Sequence, residues 1–150
     1  MNEKHNNSSS RLYGIWDNMK QRCGNKNAAN YKRYGGKGIS VCSAWERYSL
    51  FHDWAMANGY AEHLTLDRID NNGNYEPDNC RWATYTTQNR NQQISSRNKS
   101  GIRGVHFNRK RNKWAAEIKI DGKNIRLGMF TNISEAATAR LQGENTYWID

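Results

Sequence analysis

The sequence predicts an α+β fold in two small domains. Three observations lead there. The apolar period switches from helical to strand-like and back along the chain. Residues 94–100, ISSRNKS, have no periodicity and divide it. Positive charge is concentrated beyond that divide: residues 1–95 carry 12 Lys and Arg against 9 Asp and Glu, net +3, and residues 96–150 carry 11 against 5, net +6. The first domain is placed at 10–93, a linker at 94–99, and the second domain at 100–148.

Residues 1–9 are polar and read as a frayed start. A helix begins after Ser10, a good N-cap, with Leu12, Ile15, Trp16 and Met19 on one face and Gly24 to stop it. Residues 25–40 form a Gly-rich basic loop. A second helix is expected from a Ser43 cap, its apolar face made by Trp45, Tyr48, Phe51, Trp54 and Ala55, with Gly59 at its end. Strands at 64–69 and 80–84 enclose an Asn-rich loop, and a short helix starts near Thr86. Beyond the linker, GIRGVHFN, KWAAEIKI and KNIRLGMF read as three strands, the last two joined by the Asp121–Gly122 turn. A final helix from Ser134 turns Ala136, Ala137, Ala139 and Leu141 inward.

Alternation sorts the sheet. Trp114, Ala116, Ile118 and Ile120 face one way, Lys113, Ala115, Glu117 and Lys119 the other; Ile125 and Leu127 point inward, Asn124 and Arg126 outward. The first strand sets Arg103, Val105 and Phe107 against Gly104, His106 and Asn108, and its facing stays open.

Composition narrows the function classes. Only 36% of the 150 residues are hydrophobic, but six Trp and eight Tyr bury large areas from few positions. A net charge of +9 points to a polyanionic partner: nucleic acid first, an anionic membrane surface as the rival. No apolar run approaches membrane-span length and residues 1–10 lack the apolar centre of a signal peptide, so the chain is read as intracellular. Cys23, Cys42 and Cys80 are odd in number and widely spaced. A disulfide framework does not follow from them. Buried thiols are expected, with a zinc site using them and His52 or His63 as the sharper alternative.

The second domain resembles the APETALA2/ethylene-response-factor DNA-binding domain over about 40 residues. The resemblance is carried by Arg-Gly-Val (103–105), Trp-Ala-Ala-Glu-Ile (114–118), Leu-Gly-Met-Phe (127–130) and Glu-Ala-Ala (135–137), in order and at family spacing. It implies a sheet lying in the major groove of double-stranded DNA, with Arg103, His106, Asn108, Glu117, Lys119, Asn124 and Arg126 as contact residues. His106, Asn108 and Asn124 depart from the arginine-rich family pattern, so counterion release falls to the Arg and Lys positions.

The first domain resembles the ββα-metal finger of phage-type HNH homing endonucleases over roughly residues 10–93. LDRID (66–70), NCRWAT (79–84) and QNRN (88–91) carry the likeness, with YGGKGISVCSAW (34–45) ahead of them. By that resemblance Asp67 is a metal ligand, Arg68 stands at the position of the general-base His, Asn79 is the loop Asn, and Asn89 is the helix ligand. Asn91 takes that last place if the helix register differs. Phosphodiester hydrolysis needs a metal to neutralise oxygens and a base to activate water, and oxygen ligands suit Mg²⁺. A guanidinium keeps its proton at neutral pH. The base is then His63, His52 or a metal-bound hydroxide, or the finger is inactive and the protein is a DNA-binding regulator or scaffold. The plainer reading is that Asp67, Asp70 and the Asn side chains only hold a turn together. An RNA-binding module is a further rival.

Overall fold

The computed structural model describes residues 7–149. The expected frayed start lies, for residues 1–6, outside the described residues. The chain divides into two compact units, residues 1–92 and 93–150, and the fold is α+β.

In the first unit, helix α1 (Arg11–Gly24) opens as expected, the Ser10 hydroxyl accepting from the Tyr13 amide at 3.1 Å. The loop at 25–40 contains two short 3₁₀ turns, Tyr31–Arg33 and Gly35–Lys37. The second helix departs from expectation. Ser43–Glu46 is a separate 3₁₀ turn, and α2 (Tyr48–Ala57) begins only after Arg47. Arg47 between them is extended, with φ −99° and ψ 125°, and the Trp45 carbonyl at this break accepts from the Trp16 indole at 2.7 Å. Strands β1 (Thr65–Arg68) and β2 (Cys80–Ala83) pair antiparallel, with Asp67 opposite Arg81, and α3 (Tyr85–Asn91) follows, capped by the Thr84 hydroxyl.

An aromatic core ties these pieces together. Trp45, Phe51 and Met19 are fully buried, and Trp16, Tyr48 and Leu12 close around them. Trp45 meets Phe51 edge-on at 5.1 Å and Tyr13 meets Tyr48 at 5.0 Å. Such pairs each add about 0.5–1.5 kcal/mol beyond area burial. This explains how a chain poor in aliphatic residues builds a core.

The second unit is a three-stranded antiparallel sheet, β3 (Val105–Asn108), β4 (Lys113–Ile120) and β5 (Lys123–Phe130), packed on α4 (Ile133–Tyr147). Val105, Ala116, Ile118 and Ala136 are buried between sheet and helix. One expectation fails here. Leu141 is 59% exposed, and Ala136, Arg140 and Gly143 form the buried stripe of α4 instead. These lie at i, i+4 and i+7, while Leu141 is rotated about 100° away from Arg140. Gly143 lets the helix approach closely, since a Cβ there would stand 2.6 Å from Leu127 Cδ1.

No helix among the described residues is long and apolar enough to cross a membrane.

Candidate functional site

The finger is assembled from the loop outward. Asn79 closes the loop between β1 and β2. Its side-chain oxygen accepts from the Asp70 amide at 2.8 Å, and its nitrogen donates to the carbonyls of Asn74 at 2.9 Å and Asp70 at 3.1 Å. Asp70 accepts from the Asn72 amide at 2.9 Å. Gly73 is required by this packing, because a Cβ would stand 2.5 Å from the Asn79 amide nitrogen. Asn79 and Asp70 therefore act on the backbone of the turn.

Helix α3 docks on β1 through polar groups. Gln88 donates to the Leu66 carbonyl at 3.2 Å, and Asn91, on the same helical face, donates to the Arg68 carbonyl at 2.6 Å. The Asn91 amide also meets both oxygens of Asp67, at 3.2 and 3.3 Å. Asn89 is exposed, its oxygen accepting from Gln92. Of the two helix candidates, Asn91 is the one whose side chain reaches Asp67.

Asp67 is buried, with 5% of its surface exposed. It also accepts from Arg81 Nε at 3.1 Å. Sequence reasoning did not single out Arg81. Its signal is the ladder register, which sets it directly opposite Asp67 once the strands are paired.

Arg68 follows Asp67 but is engaged elsewhere. It is 8% exposed, and its Nη1 donates to the Gly73 carbonyl at 2.7 Å. Its guanidinium lies 5.1 Å from the Tyr34 ring and 4.9 Å from the Tyr75 ring, which stack on each other. Arg22 approaches the same two rings and donates to the Tyr75 hydroxyl at 3.2 Å. Burial works against the charge of Arg22, but the Tyr75 and Tyr34 oxygens outweigh it and raise the group above its ordinary range. Burial pushes the Tyr75 phenol up to about 12 against the opposing pull of Arg22.

His52 sits on α2 against Tyr48, with Asp53 3.5 Å from its Nδ1, and His63 is exposed in the segment before β1. The three cysteines are free thiols. Burial pushes Cys80 up to about 12 and also raises Cys23. Among the described residues no three His, Cys, Asp or Glu side chains gather as a metal group.

The donor chemistry around Asp67 does suit a hard divalent cation. Mg²⁺ is commonly held by one or two protein oxygens, with substrate phosphates and water completing its shell. The Asp67 carboxylate supplies one. The Asn91 amide presents its nitrogen, which donates to Asp67 and to the Arg68 carbonyl, so its oxygen would serve a cation only if the Arg68 bond were given up. A cation there would take the place of the Arg81 contact.

The second unit presents its own polar face. Register partners share a face of the sheet. Glu117 pairs with Arg126, Lys119 with Asn124, His106 with Ala115 and Asn108 with Lys113. Six of the expected contact residues, His106, Asn108, Glu117, Lys119, Asn124 and Arg126, thus stand together opposite α4. Glu117 Oε1 lies 3.7 Å from Arg126 Nη2. Arg103 precedes β3 and is half-buried. Between it and the strand, Gly104 has φ +72°, which breaks the alternation through Arg103. Arg140 was not anticipated. It is 4% exposed, bonded to Glu144 Oε1 at 2.8 Å and to the Glu117 carbonyl, and lies over Trp148. It braces the sheet from the helix side.

No family model, curated protein or solved structure matches the chain.

Proposed function

We propose that the protein is a DNA-binding, metal-dependent endonuclease of the HNH type, with its first unit as the cleaving finger and the sheet face of its second unit as the main duplex-binding surface. The observation that carries this reading is the meeting of Asp67 and Asn91 across a strand–loop–strand–helix finger. A bound Mg²⁺ would neutralise phosphate oxygens and acidify a water molecule. Asp67 and Asn91 would hold it, and Asn79 would keep the turn that carries Asp67 in shape. In hydrolysis the water oxygen bonds to phosphorus, the phosphorus–oxygen ester bond breaks, and the leaving oxygen takes a proton. The basic sheet face supports the DNA part of the reading, through Lys119 and Arg126 and the hydrogen-bonding groups of Asn124, Asn108 and His106.

A second reading is favoured by a specific observation. Arg81 already neutralises Asp67, and Arg68 is occupied by Tyr34, Tyr75 and Gly73. A finger stabilised in this way can serve as a scaffold in a non-enzymatic DNA-binding regulator. Incubation with supercoiled plasmid, in Mg²⁺, Mn²⁺ and EDTA lanes, separates the two. Nicking is expected with metal and none with EDTA. Asp67→Ala and Asn91→Ala should abolish nicking while duplex binding in a mobility-shift assay stays near normal. Absence of nicking by the wild type, with binding intact, would leave the scaffold.

A further inference from the structure

Between α1, β1 and α3, inside the first unit, lies a cavity of about 200 Å³. Its lining includes Arg11 and Arg22 and, among the described residues, no Asp or Glu. Asn18, Gln88 and Tyr85 add hydrogen-bonding groups and an aromatic ring that is 68% exposed. Gln88 in the cavity lining shares a helical face of α3 with Asn91, which reaches Asp67, and Leu66 in the same lining is the neighbour of Asp67 along β1.

Arg22 is the unusual member. A sequestered arginine is ordinarily matched by a carboxylate. The partners of Arg22 are the Asn18 carbonyl at 3.2 Å, the Tyr75 hydroxyl, and the Tyr34 and Tyr75 rings. Arg68 converges on the same rings. Two positive charges therefore share one tyrosine pair with no acid among their partners in the described residues. Arg11, exposed, donates from Nη2 to the Leu64 carbonyl at 2.7 Å and bonds Tyr60, whose hydroxyl donates to Glu62 at 3.0 Å. The Arg22–Arg68 pair thus stores unmatched positive charge beside a concavity, and an arriving anion would relieve it. The volume is below the roughly 300–1,000 Å³ of pockets for drug-sized ligands. It suits a phosphodiester group with part of a sugar, and guanidinium forks match phosphate oxygens.

We infer that this cavity is a subsite for a backbone phosphate of the DNA strand, gripped by Arg22 and Arg11, with Tyr85 against the adjoining sugar or base. It rests on the reading of the finger as DNA-cleaving, which is what brings a strand alongside β1 and α3. Arg11 and Arg22 are then positioning residues that set the register of the strand relative to Asp67.

The test uses the full chain labelled with ¹⁵N-arginine and titrated with the dinucleotide thymidylyl-thymidine in metal-free buffer. The Nε–Hε resonances of Arg22 and Arg11 should move together and saturate. The exposed Arg11→Ala variant should bind the dinucleotide several-fold more weakly. It should also lower the slope of log affinity for duplex DNA against log salt by about 0.9, the value for one lost phosphate contact. An Arg22 resonance that stays fixed at saturating dinucleotide overturns the subsite, and so does an unchanged salt slope in Arg11→Ala. The plasmid assay fails or succeeds separately. Shifts at Arg22 without nicking leave the subsite on a non-cleaving finger, and nicking without those shifts leaves the nuclease without the subsite.

Discussion

Arg68 illustrates how burial decides what a side chain can do. A base in its position would need a free lone pair and access to water, and this guanidinium has neither. It is wedged against two tyrosines and bonded to the Gly73 carbonyl. Its contribution is to the turn: it links β1 to the loop that Asn79 closes. Restoring a histidine here should therefore not restore a base. Arg68→His is expected to cost about 1–3 kcal/mol, from the lost carbonyl bond and the lost ring contacts. Thermal melting should show the loss, and Mg²⁺-dependent nicking should not rise. A rise approaching the 10²–10⁴-fold typical of general-base catalysis would mean that side chain 68 reaches the reacting water after all.

At the scale of the element, the sheet of the second unit depends on one irregularity and one glycine. The register shifts between Ala116 and Glu117, which pair with Gly128 and Arg126 and leave Leu127 as the extra residue. Leu127 faces Gly143 of α4 and Arg126 the outer face, as alternation requires, and the bulge resets the facing of the residues that follow. It thus returns Phe130 to the helix side, opposite Trp114. Uninterrupted alternation would have placed Phe130 with Arg126. Gly104 supports the other edge. Its φ is +72°, and a Cβ there would stand 2.2 Å from the Glu117 carbonyl oxygen. That atom is backbone, in a central strand, and cannot move aside cheaply. Gly104→Ala should destabilise the second unit by about 2 kcal/mol or more, from strain at positive φ plus overpacking. Denaturant unfolding followed by amide signals of β4 would measure it; an unchanged midpoint would show that the β3–β4 contact is softer than this geometry implies.

At the scale of the whole molecule, charge and cores are partitioned. The first unit holds the aromatic core and the acid–amide pair, and residues 96–150 carry net +6 against +3 for residues 1–95. Duplex affinity is thus expected to reside mainly in the second unit. Arg126→Ala should weaken duplex binding by about 1–3 kcal/mol, the range for a base-contacting arginine. Glu135→Ala, exposed on α4, should change it little. Fluorescence anisotropy at fixed salt would check both. Equal effects from the two substitutions would move the binding surface off the sheet.

Much was legible in the sequence because it depends on local rules. The Ser10 cap, the apolar periodicity of α1, the Asp121–Gly122 turn and the alternation of β4 follow from backbone geometry and side-chain spacing within a few residues. The division of the chain was legible too, since ISSRNKS has nothing to bury. What only tertiary structure decided depends on partners far along the chain. The extended backbone at Arg47 separates the 3₁₀ turn from α2, and Trp16, 29 positions before Trp45, bonds the carbonyl at that break. The choice of Asn91 over Asn89 rests on the angle at which α3 meets β1, which Gln88 and Asn91 set together. Arg81 reaches Asp67 only through the ladder register. Arg68, which the resemblance sets at the position of the general-base His, packs against Tyr34 and Tyr75, 34 and 7 positions away, a contact that only the tertiary structure supplies. Spacing along a chain specifies which face a side chain occupies, but the chemistry of that face depends on what packs against it.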